Sequence, residues 1–317
     1  MLICVIFALY FCYNPGMNIK ALSYFTKFRC IADKCRHSCC LGWEIDIDPE
    51  SFKRYQDLKG DYGKILRSNI EEDPSPHFML DAEERCPFHN EKGLCDMILN
   101  IGEDMLCNIC KDHPRYRNRD EIGLGICCEE ALRLLLDEEG PITLISVGDD
   151  PDISEDSEMI APYIEIRNSL IDVLNRDIPF DEKIDECTDI VGYGLKFDPD
   201  ESLKILSGLE KMDPAWDDKL KLLGQFDFDL SEKDSHAFSN LLIYFIHRYL
   251  PQSYNDYSFV RLWLFCEFSV FCIMSIRQNG KKDRAFLEET ARLYSSEIEY
   301  SDENIDIILD LLSPDIP

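Results

Sequence analysis

Positive charge is scarce in this chain. Its 317 residues hold 33 Lys and Arg against 62 Asp and Glu, a net charge of −29. A surface of that sign repels phosphate backbones, which argues against nucleic acid as a partner. It suits a basic protein partner or serves solubility alone. Long apolar runs are short too. The N-terminal "MLICVIFALYFCY" spans thirteen residues, whereas a spanning helix needs about 20. It has no basic start, since the first basic residue is Lys20, and no small-residue cleavage site, so it does not read as an export signal. Residues 1–16 are expected to be a mis-called start, with Met17 as the true one, or a short apolar tag. No stable membrane insertion is expected, and a cytoplasmic location follows. There thiols stay reduced, which disfavours a disulfide framework. The chain shows no repeat of 20–50 residues and no low-complexity tract. It also lacks a Gly-rich loop of the dinucleotide or methyltransferase kind. "VGYGLKF" at 191–197 comes nearest and reads as a turn.

What the chain has in excess is cysteine. Ten of fifteen lie between positions 30 and 128: Cys30, Cys35, Cys39, Cys40, Cys86, Cys95, Cys107, Cys110, Cys127 and Cys128. A chain this long buries a full apolar core without cross-links, so packing does not account for four thiols in "CIADKCRHSCC". Disulfides, redox thiols and a metal centre are the chemical alternatives, and clustering on four loop segments points to the metal. Pro87 restricts the backbone at Cys86. Cys127 precedes the helix-forming "EEALRLLL", whose positive end is expected to favour the thiolate. Only Cys107 and Cys110 have the C-x-x-C spacing of a zinc site. A cysteine-only set suits iron–sulfur, with a four-iron cluster preferred and zinc as the alternative. His37, His89 and His113 stand close by and read as supporting or surface residues. Cys266 and Cys272 sit in "FVRLWLFCEFSVFCIMSI" and read as core.

The pattern predicts a mainly α protein: a cysteine-rich metal-binding region at 17–140, a connector at 141–160 and an acidic α-helical domain at 161–317. The connector's "ITLISV" is either a strand or an extended crossing. Asp48 and Pro49 open a helix in "DPESFKRYQDL". "SNIEEDPSPHF" reads as a loop, and "CNICKDHPRY" as a helix ending before Pro114. "FSNLLIYFIHRYL" and the run holding Cys266 are apolar on most faces, as central bundle helices are. Ser301 caps "SDENIDIILDLL". The acidity is uneven. Residues 1–140 carry 17 basic and 25 acidic groups, a net of −8, and residues 141–317 carry 16 and 37, a net of −21.

"FRCIADKCRHSCCLGWEIDID", "CPFHNEKGLCDM", "IGEDMLCNICKDHPRY" and "CCEEALRLLL", in this order, resemble the conserved blocks of the flagellin lysine N-methylase family. "ARLYSSEIEYSDENID" resembles its C-terminal block. The resemblance implies a protein lysine N-methyltransferase that uses S-adenosylmethionine, acts on flagellin-type proteins with exposed lysines, and contains an iron–sulfur cluster. It implies Cys30, Cys35, Cys39, Cys40, Cys86, Cys95, Cys110 and Cys127 as the metal thiols. Cys107 and Cys128 fall outside that set, Cys128 standing where the family commonly has proline. The radical-enzyme spacing C-x3-C-x2-C is absent. A neutral lysine can attack a sulfonium methyl directly once a group lowers its pKa from about 10.4. Asp46, Asp48, Glu129 and Tyr116 are candidate bases, each with a plainer reading as cap or surface group. Arg115 and Arg133 are candidates to hold a cofactor carboxylate, or else anchors for neighbouring acids. The competing reading is a non-catalytic metal-binding module, such as a cluster carrier or assembly factor.

Overall fold

A computed structural model describes residues 17–118, 120–150 and 161–312; the expectations for residues 1–16 and for 151–160 of the connector fall outside them. In chain order the elements are β1 (Met17–Leu22), α1 (Pro49–Asp57), α2 (Gly60–Arg67), β2 (Ile70–Glu71), β3 (His77–Phe78), α3 (Asp96–Ile101), α4 (Asn108–Asp112), β4 (Arg115–Asn118), β5 (Glu121–Leu124), α5 (Glu129–Leu136), β6 (Leu144–Asp150), α6 (Ala161–Leu174), α7 (Phe180–Val191), α8 (Pro199–Ser207), α9 (Ala215–Leu220), α10 (Glu232–Tyr249), α11 (Asp256–Asn279), α12 (Arg284–Tyr294) and α13 (Asp302–Leu311). The protein is mainly helical, as expected, with a small sheet that the sequence reading did not anticipate. "ITLISV" contributes the strand β6.

The sheet runs β4-β5-β1-β6. β1 lies parallel to β5 and antiparallel to β6, and β4 pairs antiparallel with β5. The loop "SNIEEDPSPHF" closes into a minimal hairpin, β2 against β3. Helix ends follow local chemistry. Asp48 accepts from the Ser51 amide at the start of α1, with Pro49 in the first turn. Ser301 accepts from the Asn304 amide before α13. α4 ends at Asp112, ahead of Pro114. At 191–197, α7 closes on Gly192, whose φ of +81° is the left-handed cap that glycine adopts without strain.

Two apolar cores result. The larger joins α10 and α11 to Leu22, Phe28, Ile126, Leu132 and Leu135, as well as to later helices. α5 therefore packs with the bundle, although it precedes the connector in sequence. Ser258–Asn279 within α11 is long and apolar enough to cross a membrane, but it is almost wholly buried inside the protein. Cys266 and Cys272 are core residues there, as expected. The smaller core gathers Ile45, Ile47, Tyr55, Leu66, Phe78, Phe88 and Met97, together with Cys86 and Cys107.

Candidate functional site

The cysteine-bearing loops are tied to one another by backbone pairs. The Cys86 amide donates to the Cys40 carbonyl at 2.9 Å, and the Gly42 amide to that of Glu84 at 3.0 Å. Leu41 bridges to Arg85, and His89 to Cys95. The Trp43 indole donates to the Cys39 carbonyl at 2.8 Å. Asp48 accepts the Asn108 amide at 2.9 Å as well as that of Ser51, locking α4, which carries Cys110, against α1. Asp48 is thus a cap, the plainer of its two expected roles.

These ties sort the thiols into two neighbourhoods. Cys35 is pushed up to about 11 by burial, with Glu129, Cys128 and Cys30 adding to the rise. Cys39 is raised by its hydrogen bond with Cys40, and also feels Cys30 and Cys128. Cys40 is pulled down to about 7 because it accepts that bond. The second neighbourhood forms around Cys40. Cys86, pushed up to about 12 by burial, feels Cys40, Cys95 and Cys107. Cys110 is raised by its hydrogen bond to Cys107, which is lowered in turn. In each hydrogen-bonded pair the accepting sulfur, Cys40 or Cys107, is the better ligand or nucleophile. The two sets are therefore Cys30, Cys35, Cys39 and Cys128, and Cys40, Cys86, Cys95, Cys107 and Cys110. They meet at the Cys39–Cys40 peptide.

Cys128, which the family pattern left out, acts with Cys30 on both Cys35 and Cys39. Cys127 turns elsewhere: its Sγ donates to the Tyr300 hydroxyl at 2.9 Å. The expectation that the start of α5 depresses Cys127 is corrected. Burial outweighs the helix end and pushes this thiol up to about 12. Glu129, in the first turn of α5, is held by the Arg36 amide at 3.1 Å and by His37 Nδ1 at 2.9 Å. The other ring nitrogen of His37 lies 3.3 Å from Glu289 on α12. His37 thus fastens the Cys30–Cys40 run to the bundle. His113 packs beside Trp43 and is pushed down to about 4 by burial. The His89 ring meets the Ser38 hydroxyl through Nε2 at 3.4 Å.

Thiols from separate loops are the donor set that a soft metal or an iron–sulfur cluster takes, so the residues fit such a group chemically. Among the described residues, no three His, Cys, Asp or Glu side chains are gathered closely enough to grip a metal ion. The neighbourhoods are assembled at the level of the backbone, not closed around an ion.

The other expected residues are dispersed. Asp46 bridges to His77 through the backbone and accepts from Ser75 at 3.4 Å. Arg115 lies over the Phe28 ring at 5.4 Å. Arg133 is engaged by Glu130 and Asp137, each at 2.7 Å, which matches the plainer anchoring role. Tyr116, on β4, stands opposite Gly123 of β5. A Cβ on Gly123 would come within 2.2 Å of the Tyr116 ring, and one on Gly125 within 3.3 Å of Arg248 Nη1 and 3.2 Å of the Tyr300 hydroxyl. These two glycines let the tyrosines and Arg248 lie flat across the turn from β5 to α5. The space is filled by the protein's own side chains, so this strand–glycine–helix passage is not a nucleotide cradle.

The Tyr116 hydroxyl meets His247 Nδ1 at 2.9 Å. His247 Nε2 lies 3.3 Å from Glu121, which pairs with the buried Arg167 at 2.5 Å. Burial, aided by Arg167, pushes His247 down to about 3, so the ring is neutral. Tyr116 also forms one wall of a surface cavity of about 370 Å³, together with Arg248, Glu299, Asp302, Ile305 and Asp306. Glu299 is buried. It accepts the Tyr244 and Tyr249 hydroxyls at 2.9 Å and lies 3.4 Å from Arg248 Nε. It sits on a π-helical turn, Ser295–Glu299, the kind of irregularity that clusters at functional sites. His247, Arg248 and Glu299 were not singled out from the sequence. The signal was present in the polar "HR" that ends the apolar "LLIYFIHRYL".

No protein-family model and no solved structure matches the chain. It is 24% identical over 144 residues to a lysine-N-methylase of Salmonella typhimurium, and equally to one of Salmonella choleraesuis, covering 40% of this chain and 35% of each relative. It is 26% identical over 139 residues to the flagellar biosynthetic protein FliU of Salmonella muenchen, covering 40% of this chain and 82% of that relative. The chain therefore spans about a third of the length of the lysine-N-methylases it matches, and its kinship is with proteins related to lysine methylation and flagella.

Proposed function

We propose that this protein is a protein lysine N-methyltransferase that uses S-adenosylmethionine, takes a flagellin-type protein as substrate and carries a thiol-held metal centre, an iron–sulfur cluster by preference. The observation that carries the reading is the meeting of two thiol neighbourhoods at Cys39–Cys40, in a chain similar to proteins named lysine-N-methylase. Cys30, Cys35, Cys39 and Cys128 would hold one metal group, and Cys40, Cys86, Cys95 and Cys110 are the natural set for a second. When bound, such a centre supplies cross-linking of four loops and, if iron–sulfur, a redox-active group. S-adenosylmethionine supplies the electrophilic methyl. The chain's own task is to orient a lysine side chain and hold it neutral for attack. Of the four candidate bases, Asp48 is committed as a cap and Glu129 is held by Arg36 and His37. Tyr116 alone lines the cavity, with its hydroxyl bonded to His247.

The test is transfer of labelled methyl from S-adenosylmethionine to lysines of a flagellin-type protein, using protein prepared without oxygen. Label on lysine supports the proposal. Absence of label, with the metal present and the fold intact, overturns it in favour of a metal-carrying module. That second reading draws on the filled β5–α5 turn, which leaves no donor cradle there.

A further inference from the structure

The cavity beside Tyr116 belongs to neither thiol neighbourhood, yet it is built with unusual care. Arg248 lines it, with its guanidinium 4.7 Å from the Tyr116 ring centre and neutralised by the buried Glu299. α13 also lines it, with Asp302 and Asp306, four positions apart on one face, and Ile305 between them. Three carboxylates against one guanidinium leave the site two negative charges in excess. A methylene stem can lie along Ile305 while its cationic end meets carboxylate. The Tyr116 side of the lining is fixed by the hydrogen bond of its hydroxyl to the buried His247. A long arm with a terminal cation is the ligand such a wall recognises.

The geometry points to this cavity as the entry site for a lysine side chain of a protein substrate, with Asp302 and Asp306 drawing in the ammonium and Ile305 taking the methylene stem. This rests on the methylase reading, and deepens it by giving the substrate a place apart from the thiols. The sulfonium of the methyl donor is also an alkyl cation, so the test separates the two.

A short peptide holding one lysine, blocked at both ends, is titrated into the full chain, alongside the same peptide with norleucine in place of lysine. S-adenosylmethionine is titrated separately. The proteins are the wild type, the D302N/D306N double variant and E303Q, which removes an exposed charge from α13 outside the cavity lining. The lysine peptide is expected to bind the wild type and E303Q alike, and the double variant roughly tenfold more weakly, as loss of two partly exposed charge contacts dictates. The norleucine peptide should bind the wild type no better than the lysine peptide binds the double variant. Equal binding of the lysine peptide to wild type and double variant, no binding to either, or weakening confined to S-adenosylmethionine overturns the assignment. Peptide binding of the expected pattern without methyl transfer would sink the methylase reading and leave the cavity standing. Methyl transfer with an unchanged KM for protein substrate in the double variant would do the reverse.

Discussion

Around Tyr55, Phe78 and Phe88 the chain packs a small core from short helices, two-residue strands and loops, with Cys86 and Cys107 among its buried side chains. Around Phe245, Trp263 and Phe271 it packs a large core from helices of 18 and 24 residues that are apolar on nearly every face. The second assembly needs nothing beyond its own burial. The first lies near the size at which a core rarely supplies more than about 3–5 kcal/mol, and its thiols are those assigned to the proposed metal centre. The difference teaches that one chain can set a scaffold with a large apolar core beside a thiol-rich lobe with a small one, and the metal proposal makes the second depend on its ligand.

The largest effect should come from removing the metal. A chelator, or Cys40→Ala, is expected to abolish amide protection between residues 45 and 110 while α10 and α11 stay protected. Structural metal centres contribute apparent free energies on the order of 10 kcal/mol to such lobes. Unchanged protection in the lobe would break the comparison. Within the thiols, Cys128→Ala should lose more metal than Cys127→Ala, because Cys128 acts on Cys35 and Cys39 while Cys127 bonds Tyr300. Metal analysis of the two variants decides it.

The converse perturbation is Phe245→Ala, in the fully buried middle of α10. It should cost about 3–5 kcal/mol in denaturant unfolding of the bundle and leave metal content unchanged. Gly123→Ala comes next. Its Cβ would meet the Tyr116 ring at 2.2 Å, so the ring must move off His247, at a cost of about 1–3 kcal/mol. Lost Tyr116 contacts in the NMR spectrum, with thiol chemistry intact, would confirm that cavity and thiols are separable.

A further effect, of pH, is similar in size to that of Phe245→Ala. Glu267 is buried on α11, one of its oxygens lacks a hydrogen-bond partner, and burial pushes it up to about 8. Between its unfolded value of about 4.3 and 8 the folded state holds a proton that the unfolded state has lost. Stability therefore falls as pH rises through that window and levels off above it. Glu267→Gln should flatten this slope. An unchanged slope in thermal melts from pH 5 to 8 would remove Glu267 from the account.

The bundle was legible because its signals are local. The apolar run around Cys266 could only be a buried helix, and Asp48-Pro49, Ser301 and Pro114 mark helix ends by chemistry confined to a few residues. The sheet was not, since β1 finds β5 across about a hundred residues and neither strand carries a long alternating pattern. "SNIEEDPSPHF" hid a hairpin because two-residue strands leave no period to read. Spacing showed which segments are rich in thiols but not which thiols meet. Cys39 and Cys40 are adjacent and bonded to each other, yet their remaining thiol neighbours differ. The cavity was least legible of all: Tyr116, Arg248, Glu299 and Asp306 come from four elements, and only packing brings them together.

Iron, zinc and acid-labile sulfide in protein purified without oxygen test the central claim most directly, read together with the number of thiols that still react with a thiol reagent under native conditions. The account expects bound metal, with iron and sulfide in the preferred case, and protection of Cys39, Cys40, Cys86 and Cys110 until a chelator is added. A folded, metal-free protein whose ten clustered thiols react freely would contradict it.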